Sequence, residues 1–474
     1  MKTAVAAFLL TVAPSLVAGL AVDRESAART EYVGQQAPPL PRCGGAISTS
    51  GPTITVGPEQ AAGLPDVVAA AAPGTTVLLK DGAYRLSSGV KIRRPGITLR
   101  SASGDARAVV IDGQYRTPEL VVITASDVTI ADVTLTRAVD HLVHIMPAGP
   151  ATVRSPRLRG LRLIDAGEQF VKVNPDFGRT APVDAGVLEC SLLQLTDEGR
   201  PRVETLGGTS CYTGGIDAHL AAGWTVRRNR FEGLFCRTGF LAEHAIHFWN
   251  GSRDTVVEQN TIVNCARGIG LGLGPSTTER GGLVRNNMIY ADIPEYDTGI
   301  GLEQAVDVRV LHNTVFATSK ATRAYSSIDA RFAGTKAEIV NNLVNNITVR
   351  QGATVTATHN VQRVTTTAFV DPAKADLHLR ADFAAAVNAG RVLPDAGLDI
   401  DGEPRGATPD IGADERGAEP AHRRQGFGGP PKLCAKAEGP ALQGMKTASV
   451  LRHREAGDRD VRVVSEPQSV DAVG

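Results

Sequence analysis

TVRRNRF (225–231), VVEQNTI (256–262), LVRNNMI (283–289), RVLHNTV (309–315) and EIVNNLV (338–344) are variants of one phrase. Each sets apolar residues around an asparagine at a fixed place. Those asparagines are Asn229, Asn260, Asn287, Asn313 and Asn342, separated by 31, 27, 26 and 29 residues. Self-similarity at such a period marks a solenoid, in which each repeat buries its apolar face only by stacking on its neighbours. Within each unit the apolar residues alternate or come in short runs bounded by Gly, Asn and Asp, which suits short strands rather than helices. An Asn at one position per coil has a physical reason. Its side chain satisfies backbone groups at a sharp bend and it tolerates left-handed geometry. Stacked in register, the five are expected to form a ladder on one edge. Weaker copies run upstream through ITLRS (97–101), VTIADVTL (128–135) and LRGLRLID (158–165). The expectation is a parallel β-helix of around ten coils.

Composition agrees. The 474 residues carry 50 Lys+Arg against 50 Asp+Glu, which excludes a protein that holds nucleic acid or an anionic membrane through bulk charge. At 42% hydrophobic and 21% charged the chain buries a core, and 50 glycines with only 4% aromatics favour β-structure with frequent corners. The ends differ from the middle. Residues 1–21 read as a secretory signal peptide: Met1-Lys2, an apolar stretch from Ala4 to Leu20, and small residues at its close. The stretch is short for a membrane span, so a protein without stable membrane insertion after cleavage, secreted or periplasmic, is expected. Residues 22–50 read as a flexible leader and 417–474 as a disordered tail without a sustained apolar period. Six cysteines lack any CxxC pairing, which argues against thiolate zinc. Export permits disulfides, with Cys211–Cys236 the most plausible pair because it brackets part of a histidine-rich centre; buried unpaired thiols remain the alternative.

The chain resembles the secreted right-handed parallel β-helix proteins of the pectate-lyase-like superfamily, which include polysaccharide lyases and mannuronan C5-epimerases. Its opening is similar to theirs: ITVGPEQAAGLPDVVAAAAPGTTVLLKDGAY (54–84) gives a strand, an N-terminal capping helix and a Pro-Gly turn. Its close is similar too, in DLHL (376–379), AAAVNAG (384–390) and DIDGEPRGATPDIGADE (399–415). The resemblance implies an all-β, right-handed parallel β-helix over 51–416. It fixes no activity, because the fold hosts many.

A second register comes from the strand before each Asn phrase: HLVHIM (141–146), FVKVN (170–174), GIDAH (215–219), AIHFWN (245–250), GIGLG (268–272), GIGLE (299–303) and SIDAR (327–331). Aligning Val143, Val171, Ile216, Ile246, Ile269, Ile300 and Ile328 as inward residues turns the next position outward. One outward column is then His144, Lys172, Asp217, His247, Gly270, Gly301 and Asp329. The column two residues on is Met146, Asn174, His219, Trp249, Gly272, Glu303 and Arg331. A merely solvated face explains any single Asp or Lys here. It does not explain two His, a Trp and an Asn beside one Lys, which is the makeup of a site on rigid strands. The GIGLG glycines either leave a shallow place beside the charged coils or pack coils tightly.

An exported β-helix with a long face suits an extended polymer, so the expected partner is a polysaccharide and not a nucleic acid. A uronic-acid glycan is cut by β-elimination when a base removes the C5 proton, a cation offsets the developing dianion, and an acid protonates the leaving C4 oxygen. His219 is the expected base. Asp217 and His247 stack beside it, Lys172 neutralises a carboxylate or serves as base, and Arg331 binds a neighbouring carboxylate. Trp249, Asn174, Glu303, His144 and Tyr212 are expected to bind sugar. GIDAH also resembles the Asp-Pro-His core of mannuronan C5-epimerases, with Asp217 and His219 on matching positions; Ala218 replaces the Pro, Leu220 an acidic residue, and Gly214 a Tyr. Lys172 and Arg331 are possible counterparts of the lysine–arginine pair of chondroitinase-B-like lyases. The residues name no metal ligand set; Ca²⁺ remains possible as cofactor. Other motifs fail: there is no GxSxG, HExxH, Walker loop or dinucleotide fingerprint. Asp217 lies roughly 14–19 Å from Glu303 or Asp329 by the register. An inverting hydrolase wants about 6.5–9.5 Å. The leading reading is a polysaccharide lyase, the alternatives a polyuronate C5-epimerase and a non-catalytic glycan-binding or structural cell-surface β-helix.

Overall fold

The computed structural model describes residues 40–41, 43–44, 47, 51–206, 211–238 and 241–416. The expected signal peptide, most of the leader, the tail and Cys434 lie outside them. From Thr53–Val56 to Thr354–Thr358 the described strands build a right-handed parallel β-helix of three long sheets. The first sheet has 14 strands and the other two have 10 each, so the solenoid holds about the number of coils that the repeats imply. One coil shows the path: Gly214–His219 lies in the third sheet, Thr225–Arg227 in the first, Arg230–Glu232 in the second, and His244–Trp249 returns to the third.

The inward column holds as read. Val143, Val171, Ile216, Ile246, Ile269, Ile300 and Ile328 pair successively across the third sheet, and all are fully buried. Each such side chain contributes about 1.5–3 kcal/mol of burial, which fixes the register against a one-residue slip. The N-terminal end is closed by a helix, Leu64–Ala70, whose buried face is Leu64 and Val68. Pro73-Gly74 makes the turn into Thr76–Leu79, with Gly74 at a φ of 75° that other residues rarely adopt.

The asparagine edge is a continuous hydrogen-bond ladder. Asn229, Asn260, Asn287 and Asn313 each donate Nδ2–H to the Oδ1 of the next asparagine at 2.9–3.1 Å, and their backbone N–H groups donate to the same oxygens. Each Nδ2 also donates to a carbonyl of the preceding coil, such as Leu188, Val226 and Val257. The ladder runs one rung further than the repeat, through Asn342 to Asn360 at 3.0 Å. The left-handed residue is not the ladder Asn but its predecessor: Arg228, Gln259, Asn286, His312 and Asn341 have φ of 53–59°. That kink aims the predecessor outward and the Asn inward. Four outward side chains then grip the C-terminal segment, as Gln259 Nε2 donates to the Asp399 carbonyl (2.5 Å), Asn286 Nδ2 to Ala396 (2.6 Å) and Asn341 Nδ2 to Arg391 (2.7 Å), and His312 Nδ1 meets the Asp410 carbonyl (3.1 Å).

Among the described residues the cysteines form two disulfides, Cys43–Cys190 and the expected Cys211–Cys236, with Cα–Cα distances of 5.6 and 6.0 Å. Cys265 is a buried free thiol. Among the described residues no helix is long and apolar enough to cross a membrane.

Candidate active site on the third sheet

The outward columns form in the expected register. His144 pairs with Lys172, Lys172 with Asp217, Asp217 with His247, His247 with Gly270, Gly270 with Gly301, and Gly301 with Asp329. In the second column His219 pairs with Trp249 and Glu303 with Arg331.

At the centre is Asp217, whose carboxylate collects four partners. The Lys172 ammonium donates to Oδ2, and His219 Nε2 lies 3.3 Å from the same oxygen. Trp249 Nε1–H donates to Oδ1 at 2.6 Å, and His247 Nδ1 stands 3.5 Å from it. Lys172 Nζ is 3.5 Å from His219 Nε2. Burial by itself would raise the Asp217 pKa, but the His219 hydrogen bond and the charges of Lys172 and His247 hold it far below the usual carboxylate range. Asp217 is therefore ionised at any working pH.

The expectation of one open face needs correction. Asp217 and His247 are only 2% and 1% exposed, and Lys172 and His144 are buried as well. Crowded charges and rings cover one another, so the column faces outward and is still shielded. His219 and Trp249 keep partial exposure. His247 stacks on Trp249 with centroids 5.4 Å apart and planes within 6°, and the Trp249 indole meets His219 edge-on at 4.4 Å. Asp217 and His247 are thus shielded, and the Asp217 carboxylate ties Lys172, His219 and Trp249 together.

Arg331 stands where the register puts it. Its guanidinium is committed to Glu303, and it lies four strands from His219, about 19 Å along the sheet. Glu303 in turn accepts from the Gly274 N–H at 2.5 Å. His144 and Asn174 form a separate group on the other side of Lys172: Glu119 meets His144 Nδ1, and Asn174 Nδ2 is 3.3 Å from Nε2. Tyr212 is half-exposed, and its hydroxyl pKa is raised by partial burial, then by the Asp217 and Glu243 carboxylates.

Strict alternation hid two residues. Ala245 and Ile246 are both fully buried, so the strand turns two consecutive residues inward. His244 then emerges on the same side as His247, with ring centroids 4.4 Å apart. A β-carbon on Gly270 would stand 2.7 Å from His244 Nε2, so this glycine makes room for an imidazole, a third outcome beside the two weighed above. Glu243, never singled out from sequence, lies against both rings: Oε2 is 3.1 Å from His247 Nδ1 and 3.5 Å from His244 Nδ1. The signal was present as Glu-His-x-x-His (243–247), readable only if a strand breaks its period. Burial and the Arg267 charge push the His244 pKa down to about 3. Burial also works against a charge on His247, but Glu243 and Asp217 outweigh it and raise its pKa.

No family model matches the chain, and no curated protein matches it. Solved structures do. The crystal structure of pectate lyase Pel9A matches at 15% identity with a TM-score of 0.54, over 78% of this chain and 98% of that one. A polygalacturonase from Erwinia carotovora ssp. carotovora matches at 10% identity and a TM-score of 0.39, over 67% and 98% respectively. An alginate lyase from Paenibacillus sp. matches at 12% identity and 0.30, over 65% and 99%. The fold of this chain is the right-handed parallel β-helix, the fold it shares with pectate lyase Pel9A.

Proposed function

We propose that this protein is an exported carbohydrate-active enzyme that abstracts the C5 proton of a uronic-acid residue, acting as a polysaccharide lyase. The observation that carries the reading is the Lys172–Asp217–His219 group, three side chains within 3.5 Å of one another on adjacent rigid strands. With its proton on Nε2, facing Asp217 Oδ2, His219 keeps a lone pair on Nδ1 and accepts the C5 proton. Lys172 offsets the charge that builds on the uronate carboxylate. The C4–O bond then breaks, the C4=C5 double bond forms, the departing oxygen takes a proton from water, and His219 returns the C5 proton to solvent. Asp217 holds both partners without touching sugar. Trp249, partly exposed beside His219, gives a sugar ring a flat wall.

The Asp217-x-His219 spacing favours a second reading, a C5-epimerase, which forms the same carbanion and returns the proton to the other face. Two disulfides suit an exported protein. The test is incubation of purified protein with a panel of polyuronates, following ultraviolet absorbance of unsaturated uronate and C5 configuration by NMR. New absorbance supports the lyase and inverted C5 the epimerase. Binding with neither change leaves a glycan-binding module and ends the catalytic proposal.

A further inference from the structure

Beside the Lys172–Asp217–His219 group, three atoms converge from one strand and its approach: Glu243 Oε2, His244 Nδ1 and His247 Nδ1. The donor atoms of the three residues lie within 4.8 Å of one another. All three atoms are buried, and none makes a hydrogen bond of acceptable geometry despite the 3.1 and 3.5 Å approaches. Three buried polar atoms that face one another without a hydrogen bond are costly, and a cation between them would satisfy all three at once.

The remaining atoms of these side chains are tied as ligand supports should be. His247 Nε2–H donates to the Gly272 carbonyl at 3.2 Å, which leaves the Nδ1 lone pair facing the cluster. Arg267 holds the opposite carboxylate oxygen, Oε1, at 3.4 Å while its Nε–H donates to the Ala242 carbonyl at 3.0 Å. An outer hydrogen bond on the far nitrogen of a ligating histidine fixes tautomer and ring orientation. Gly270 supplies the space for the His244 ring.

We infer that Glu243, His244 and His247 form a binding site for one divalent transition-metal ion of the zinc class. Two imidazole nitrogens and one carboxylate oxygen suit Zn²⁺ or a similar borderline ion, and they do not suit Ca²⁺, which takes six to eight oxygens. Three protein ligands leave a coordination position open, and Asp217 Oδ1 lies 3.5 Å from His247 Nδ1. A second cluster, His378 with Asp401 and Asp414, is the internal control. There His378 already meets Asp376 at 2.5 Å and Asp401 at 3.2 Å.

The experiment uses the tag-free exported protein, stripped with chelator and titrated with Zn²⁺ alone by calorimetry, then with Co²⁺ by visible absorption. One equivalent of Zn²⁺ should bind, Co²⁺ should give the intense bands of a low-coordinate nitrogen-containing site, and excess Ca²⁺ should displace neither. His244→Ala should abolish binding. Because that ring is buried, Glu243→Gln serves as the variant that keeps shape. It should weaken Zn²⁺ by at least about tenfold while circular dichroism stays unchanged. His378→Ala should leave the stoichiometry at one. Wild-type protein that takes up no Zn²⁺ overturns the inference. So does binding that survives Glu243→Gln undiminished, or that disappears in His378→Ala.

Discussion

The asparagine ladder and the polar columns of the third sheet obey the same stacking rule and reach opposite chemistry. On the ladder edge each coil repeats one residue, and from Asn229 to Asn342 each amide finds a partner on the next rung. On the third sheet the residue changes from coil to coil between His144 and Gly270, so Lys, Asp and His come to lie side by side and three buried atoms at Glu243, His244 and His247 go without hydrogen bonds. A repeat that is kept does structural work. Where the repeat is broken in a single column, the fold gives up local satisfaction for a set of titratable groups held rigidly together.

The comparison breaks first at Lys172. Lys172→Ala strips the buried Asp217 of its one permanent counter-charge and should cost about 3–5 kcal/mol in denaturant unfolding. A loss of activity in that variant therefore does not by itself assign the base. Mid-ladder, Asn287→Ala orphans the Asn260 amide and the Val257 carbonyl and should cost about 2–4 kcal/mol, while turnover in the folded fraction stays within twofold or so. A ladder variant that kills turnover without losing stability would erase the distinction between the two regions.

Glu279, on the first sheet, is the exception on the ladder's side. Burial pushes its pKa up to about 8; the Thr255 and Gly282 backbone groups only partly offset burial and the nearby Asp254. The carboxyl stays neutral in the native state at pH 7 while the unfolded chain ionises near 4.5, so its penalty is absent at pH 4 and grows up to pH 8. Glu279→Gln should leave stability unchanged at pH 4 and raise it by about 3 kcal/mol at pH 7. A stabilisation that is equal at both pH values would contradict a neutral buried acid. The smallest effect belongs to Arg331→Ala. With its guanidinium on Glu303 and four strands from His219, its loss should change turnover by no more than about threefold. A drop of a hundredfold would put Arg331 back in the chemistry.

The sequence carried the core and the register because Ile and Val recur at one place in every coil, and a slip would expose all of them. The ladder was legible up to Asn342 and lost at Asn360, because the last coil shortens to 18 residues and leaves the period. The left-handed position was misplaced by one residue, since an Asn and its predecessor share one bend. Burial of the columns was not legible at all. Whether Asp217 is open or covered depends on the rotamers of Lys172, Trp249 and His247, which no spacing records. Glu243 stayed hidden, and His244, though one of the histidines in or beside these strands, could not be placed on the outward face, because Ala245 and Ile246 are two consecutive inward residues.

Lyase and epimerase readings share one event, removal of the C5 proton by His219. The most direct measurement is exchange at C5 of a bound polyuronate in D₂O, followed by NMR together with the appearance of unsaturated ends. Wild-type protein should carry deuterium into C5 or form the unsaturated product. His219→Ala should slow that event by about 10²–10⁴-fold, with unfolding stability within about 1 kcal/mol of wild type. A folded His219→Ala protein that processes C5 at the wild-type rate would contradict the account.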